Sequence, residues 1–297
     1  MNNLELKNQN NFYNSCNSIS FDSMKNNYLD YVYSYYSIDT FFCYKGHLEI
    51  ISAFLQDNFN IAYDTDVLHT HLLSFIKFQR SKSLTNATIN KRLNVLKRMF
   101  VYNKSQNKLD FIENLKEQYT TFNYLDDLEI MKLIKYLESS KLAIQNKLMI
   151  TLFLESGVRR KELRYIEINN IDLENKIILL TTTKTNKPRF ICYSDLTDKY
   201  LKNYIFNLKN KKYLFNVSNN SISSCFRRIN KTLNFKNFSP HVLRHSYATL
   251  IVNNNGNLEM LRQTMGHEKL TTTQRYIHYN KKFLLKSYKQ SFNLKKD

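Results

Sequence analysis

The chain of 297 residues is short of the features that mark several protein classes. No run of about 18 consecutive apolar residues occurs, so no membrane-spanning helix is expected. The amino terminus is polar and Asn-rich, with no charged segment leading into an apolar run, and a secretory signal is not expected. There are four cysteines, at positions 16, 43, 192 and 225, and no pair has the spacing of metal ligands. A chain of this size needs no disulfide framework, so reduced thiols in a bacterial-type cytoplasm are the expectation. No Gly-x-x-x-x-Gly-Lys loop is present to cradle a nucleotide, and no group of carboxylates suggests a two-metal site. The expected chemistry therefore uses no cofactor and no metal.

Acidic residues are also in deficit. Forty-four Lys and Arg face 25 Asp and Glu, a net charge of +19. Residues 1–125 hold 13 basic and 11 acidic side chains, whereas residues 126–297 hold 31 and 14. Within the first part, Val67 to Leu109 carries nine basic residues and no acidic one. Such a surface attracts a polyanion, and nucleic acid is the usual one. No amphipathic helix joins that charge to an apolar face, which argues against a membrane surface.

The stretch from Ser239 to Tyr276 holds the densest chemistry. Ser239 and Pro240 read as an N-cap and a first helical position. His241 and Arg244 are three apart and share a helix face. Gly256 suits a helix end, Asn257 the cap of the next helix, and Gly266 its termination. His267 follows at once and Tyr276 nine residues later. Two imidazoles, a guanidinium and a phenol supply proton carriers, a cation and an oxygen nucleophile for a phosphate. Upstream lies Ser156-Gly157-Val158-Arg159-Arg160-Lys161-Glu162-Leu163. Strands are expected over Lys176–Thr182 and Arg189–Tyr193, with Lys184 to Pro188 as the polar turn between them.

His-x-x-Arg-His, Gly-His and Thr-Thr-x-x-Tyr, in that order after Gly-x-Arg-x-x-Glu-Leu, resemble the signature of the tyrosine recombinases, with Xer-type members as the nearer match. The resemblance rests on specific motifs from Asp126 to Tyr279 and on helical pattern alone from Asp22 to Asn107. It implies a mainly α fold with a small β-sheet in two domains. One is a helical, SAM-like core-binding domain and the other a tyrosine-recombinase catalytic domain. The corresponding boundaries are a polar segment over 1–20, a core-binding domain over 21–110, a linker over 111–125 and a catalytic domain with its tail over 126–297.

The resemblance also implies roles. Arg159 and Arg244 would hold the non-bridging oxygens of a scissile phosphate. Tyr276 would attack phosphorus and leave a 3′-phosphotyrosyl intermediate, with Tyr279 as its rival. His241 would take or return the phenolic proton, and Lys184 would protonate the leaving 5′-oxygen, with Lys187 as the alternative. His267 would contact the phosphate or support the site. Glu162 is expected to orient Arg159, and His245 is read as structural. The implied partners are double-stranded DNA carrying a specific site and further recombinase subunits, four on paired sites. A type IB topoisomerase and a non-enzymatic DNA-binding protein stand as alternatives. The compact size favours chromosome-dimer resolution over the integrase of a mobile element.

In the amino-terminal half, helices are expected over Phe21–Tyr36, Phe41–Leu55, Val67–Gln79 and Asn86–Tyr102. The last carries Ile89, Leu93, Leu96 and Phe100 as an apolar stripe. Lys91, Arg92, Lys97 and Arg98 on its other faces are expected to meet DNA. The tail from Lys281 to Lys296 holds six lysines with interleaved apolar residues, and is expected either to pack on its own domain or to dock on a neighbouring subunit.

Overall fold

The computed structural model describes residues 19–105, 109–117, 122–182, 187–208 and 211–278, together with Leu285 and Tyr288. It is mainly helical with one three-stranded sheet, and it divides into two compact units, Met1–Tyr119 and Thr120–Asp297.

The first unit is built from α1 (Phe21–Tyr35), α2 (Ile38–Phe59), α3 (His69–Ser81) and α4 (Asn86–Tyr102). Polar caps fix two of the starts. The Ser37 hydroxyl accepts from the Thr40 N–H and the Thr85 hydroxyl from the Thr88 N–H, both at 3.3 Å. Because Ser37 caps it directly, α2 begins three residues before the apolar pattern suggests. It ends at Asn60, whose φ of 51° is left-handed. Ile89, Leu93, Leu96 and Phe100 are all buried, and they pack with Met24, Val32, Leu48, Leu55, Leu72 and Phe75. Buried Asn90 ties the chain beyond α4 back to the helix. Its side chain accepts from the Leu115 N–H at 2.8 Å and donates to the Leu115 carbonyl at 2.9 Å.

The basic quartet of α4 does not form one outward row. Lys91 and Arg98 are exposed, but Arg98 still donates to the Tyr44 hydroxyl, Arg92 to the Gln79 side chain and Lys97 to the Ile112 carbonyl. Three of the four cations thus hold the unit together.

The second unit opens with α5 (Asp127–Ser139), where Asp126 and Glu129 form a reciprocal capping box at 2.9 and 3.0 Å. Next come α6 (Ile144–Ser156) and the single turn α7 (Arg160–Leu163). The run Leu148–Leu154 is buried on every face, so α6 is the central helix, flanked by α8 (Asp195–Phe206) and α10 (Pro240–Asn253). The sheet is antiparallel in the order β1 (Ile171–Asp172), β2 (Ile177–Leu180), β3 (Arg189–Cys192), with Ile177 opposite Cys192 and Leu180 opposite Arg189. The two-residue β1 carries too short a pattern to be seen in sequence. After α9 (Asn219–Leu233) and α10, α11 (Leu258–Met265) and α12 (Leu270–His278) complete the described chain.

The Asn257 side chain caps α11 through the N–H groups of Glu259 and Met260. The left-handed residue beyond α10 is Asn255, φ 58°, rather than Gly256. A Cβ on Gly256 would instead meet the Ile251 side chain at 2.5 Å, so that glycine answers to crowding. Lys184, Tyr279 and the tail from Lys281, save Leu285 and Tyr288, lie outside the described residues. Among the described residues no helix is long and apolar enough to cross a membrane, and no group of His, Cys, Asp and Glu could hold a metal ion.

Candidate active site

Two glycines prepare the site. Gly157 ends α6 with φ 59° and Gly266 ends α11 with φ 62°, the left-handed conformation that a residue without Cβ adopts at low cost. The carbonyl of each turn accepts a hydrogen bond from an arginine of another element. Arg244, on α10, donates to the Gly157 carbonyl and to the Met265 carbonyl, the latter at 2.6 Å. Arg159, the N-cap of α7, donates to the Gly266 carbonyl at 2.9 Å. The chain reversals after α6 and α11 therefore bring both guanidiniums together and fix their planes.

Glu162 adds the counter-charge. Its carboxylate accepts from the Arg159 backbone N–H at 2.8 Å and from Arg159 Nη1 at 2.9 Å. A third arginine, Arg189 at the start of β3, reaches the same carboxylate with both terminal nitrogens. Burial opposes ionisation of Glu162, but the Arg189 hydrogen bonds and the two guanidinium charges outweigh it and lower its pKa. Arg244 is 5% exposed, and burial, followed by the Arg159 charge, pushes it down to about 9. It still carries its charge at neutral pH. This cluster therefore holds an excess of positive charge in a partly dry setting, where an incoming anion is most strongly stabilised.

His267 sits beside it. Its Nε2 lies 3.2 Å from Arg244 Nη2, and its Nδ1 lies 2.9 Å from the Thr273 hydroxyl. Arginine can only donate, so Nε2 accepts and Nδ1 carries the ring proton. Burial, then Arg244, Arg159 and Arg189, hold the His267 pKa down to about 4, leaving the ring neutral at neutral pH. The Tyr276 ring, on α12, lies parallel to the His267 ring at 6.4 Å. Tyr276 is 6% exposed and burial raises its pKa. Its hydroxyl is 2.9 Å from Nδ1 of His245. His241 is exposed and lines an open cleft of about 420 Å³ together with His245, Phe122 and Ser239.

Four of the residues singled out from sequence, Arg159, Arg244, His267 and Tyr276, thus meet in one place. His241 lies on the cleft beside them. Sequence reading passed over Arg189 and Phe122, and it set His245 aside as structural. Arg189 was visible only as the first residue of a strand. For His245 a signal was present, since His241 and His245 are four apart and share a face of α10.

The family model for the phage integrase family matches residues 123–282, more than half of the chain. The chain belongs to that family. This phage integrase family member is 31% identical over 215 residues to a probable integrase/recombinase of Acholeplasma phage L2, covering 69% of this chain and 74% of that protein. It is 29% identical over 280 residues to the tyrosine recombinase XerC of Lactobacillus delbrueckii subsp. bulgaricus, covering 86% and 94% of the two chains. In structure it resembles the Tn1549 transposon integrase solved with transposon right end DNA, at a TM-score of 0.77 and 18% identity over 93% of this chain and all of that one. The Xer-type tyrosine recombinase expected from the motifs, and the mainly helical fold with a small sheet, are both met.

Proposed function

We propose that this chain is a site-specific DNA recombinase that cuts and rejoins strands through a 3′-phosphotyrosyl intermediate. The observation that carries this reading is the meeting of a buried phenol with two fixed guanidiniums and neutral imidazoles. Arg159 and Arg244 clamp the non-bridging oxygens of the scissile phosphate and stabilise the charge that grows on it. His267, its proton fixed on Nδ1, holds the position of Arg244 and borders the phosphate. Tyr276 attacks phosphorus. Its proton goes to a neighbouring imidazole, and Lys184 of the β2–β3 turn protonates the leaving 5′-oxygen. The phosphotyrosyl bond keeps the energy of the broken ester, so rejoining needs no nucleotide. The site requires no metal.

Double-stranded DNA is the substrate, supported by the net charge of +19 and by the solved integrase–DNA complex. The unit Met1–Tyr119 serves as the core-binding domain and Thr120–Asp297 as the catalytic one. Two sites and four strand cuts call for four subunits, each giving one tyrosine. The cellular task is the resolution of chromosome dimers in the cytoplasm, supported by similarity along 94% of a XerC. Integration of a mobile element is the second reading, favoured by the 31% identity to a phage protein.

The test is covalent trapping of the full chain on nicked suicide substrates from a genomic library. The parent forms a protein–DNA adduct at a defined site, Tyr276→Phe forms none and still binds, and cleavage persists in EDTA. An adduct in the Tyr276→Phe variant sinks the assignment. The recovered sequence, a chromosomal terminus site or an attachment site, separates the two tasks.

A further inference from the structure

The position of His245 is unlike that of a packing residue. Its Nδ1 lies 2.9 Å from the Tyr276 hydroxyl across 31 residues of chain. Phe122 stacks on both rings, at 4.5 Å and 23° on His245 and at 5.0 Å and 30° on Tyr276. The Arg275 guanidinium stands 4.9 Å from the Phe122 ring. Imidazole and phenol are thereby held in one orientation, which is what a proton transfer requires. His245 also lines the open cleft, where it can exchange protons with solvent.

The protonation states fit. Burial, then His241, Arg244 and Arg275, push His245 down to about 4, so it is neutral at neutral pH. Burial pushes the Tyr276 phenol up, so it holds its proton. A protonated phenol facing a neutral imidazole nitrogen donates to it, which places the ring proton of His245 on Nε2.

We infer that His245 is the proton acceptor for Tyr276 during strand cleavage, an inference that rests on the recombinase reading above. As the phenolic oxygen bonds to phosphorus, its proton passes to Nδ1 of His245. The bond from phosphorus to the 5′-oxygen breaks, its electron pair leaves with that oxygen, and Lys184 supplies the proton. In rejoining, the attacking 5′-hydroxyl gives its proton to Lys184, and His245 returns one to the departing phenolate. The resting base is weak first because it is buried and then because positive charge stands near it. His241 and Arg244 face it from α10 and Arg275 from α12, with His267 nearby and uncharged Phe122 on the remaining side. A DNA phosphate seated on Arg159 and Arg244 offsets that positive field, so the proton affinity of His245 rises when substrate arrives. The nucleophile is activated by occupancy of its own site.

The experiment uses the full chain and the site recovered by trapping, carrying a 5′-phosphorothiolate at the scissile position. A thiolate leaves without a proton, so the rate reports the attack alone. His245→Gln and His245→Phe, the latter keeping the stack on Phe122, should each slow adduct formation about 10²-fold or more with DNA affinity unchanged. Both should lose the rising limb of the pH–rate profile, which His241→Ala should keep. Added imidazole should restore part of the rate of His245→Ala. A His245→Gln rate within about threefold of the parent, with the same pH profile, overturns the inference. A faster rate also overturns it, by showing that the contact restrains Tyr276. Failure of the parent to form any Tyr276 adduct would instead overturn the recombinase reading itself.

Discussion

Arg189 and Glu162 form a buried bidentate ion pair, Nη1 to Oε1 at 2.7 Å and Nη2 to Oε2 at 2.6 Å. The remaining Arg189 nitrogen, Nε, donates to the Thr264 carbonyl at 2.8 Å. One guanidinium thus joins β3, α7 and the end of α11, the three segments that carry the lysine-bearing turn, Arg159 and His267. Since Glu162 also holds Arg159, the pair helps set the plane of the guanidinium proposed to bind the phosphate.

Replacing Arg189 by Met leaves Arg159 to balance the Glu162 carboxylate. Loss of one partner of a buried pair costs about 3–5 kcal/mol, and urea unfolding should show a loss of that order. Arg189→Lys keeps the charge but not the fork. It should recover part of the stability while cleavage stays slow, because Arg159 is no longer oriented. An Arg189→Met chain as stable as the parent would mean that Arg159 alone satisfies the carboxylate.

Gly266 and Gly46 offer a matched pair of substitutions. Gly266 has φ 62°, and a Cβ there would lie 3.0 Å from Arg189 Nη1 and 3.1 Å from Arg159 Nη1. Gly266→Ala therefore meets both a left-handed backbone, about 1–2 kcal/mol, and two guanidiniums that must move. Cleavage should fall far more than stability does. Gly46 lies within α2, and a Cβ there would have nothing within 4 Å, so Gly46→Ala should stabilise the chain by about 0.5–1 kcal/mol without touching activity. Thermal melts and adduct assays on the two variants check both statements.

Much of this was legible locally. The span of α4 follows from Thr85 as cap and the stripe from Ile89 to Phe100, and that of α5 from the Asp126–Glu129 box. Motif spacing led to Arg159, Arg244, His267 and Tyr276. What escaped was long-range. Arg189 and Glu162 are 27 residues apart, and no periodicity announces an ion pair over that distance. His241 and His245 share a helix face, and only the packing of α12 against α10 determines which of them meets the tyrosine. Likewise the four cations of α4 look alike in sequence, yet Arg92, Lys97 and Arg98 make contacts inside their own unit.

Acid should destabilise the second unit in two separate windows. His245 and His267 are each held down to about 4, well below the ordinary value near 6.5. Between those values the unfolded chain binds protons that the folded chain refuses, so stability falls as pH drops from about 6.5 toward 4. Glu162 acts lower. Its stabilisation is complete above the ordinary carboxylate pKa and is lost only as pH falls through its lowered folded value. Urea midpoints measured from about pH 7.5 to 4.5 should decline in the parent and decline less in a His245→Phe, His267→Gln double variant. Parallel curves would show that the imidazoles titrate normally in the folded chain.

The proton donor proposed for the 5′-oxygen is a lysine of the segment between β2 and β3. Leu180 and Arg189 face each other at its base, and the Arg189–Glu162 pair anchors the returning strand beside Arg159. Lys184 stands four residues beyond Leu180 and Lys187 two before Arg189. The motif match favours Lys184, with Lys187 as the alternative. Lys184→Ala should lose cleavage of ordinary DNA by about 10²–10⁴-fold and regain most of it on a 5′-phosphorothiolate, since a thiolate needs no proton to leave. Lys187→Ala should behave as the parent on both substrates. Sulfur rescue of the Lys187 variant, with none for Lys184, would exchange the two roles and place the donor on the anchored side of the turn.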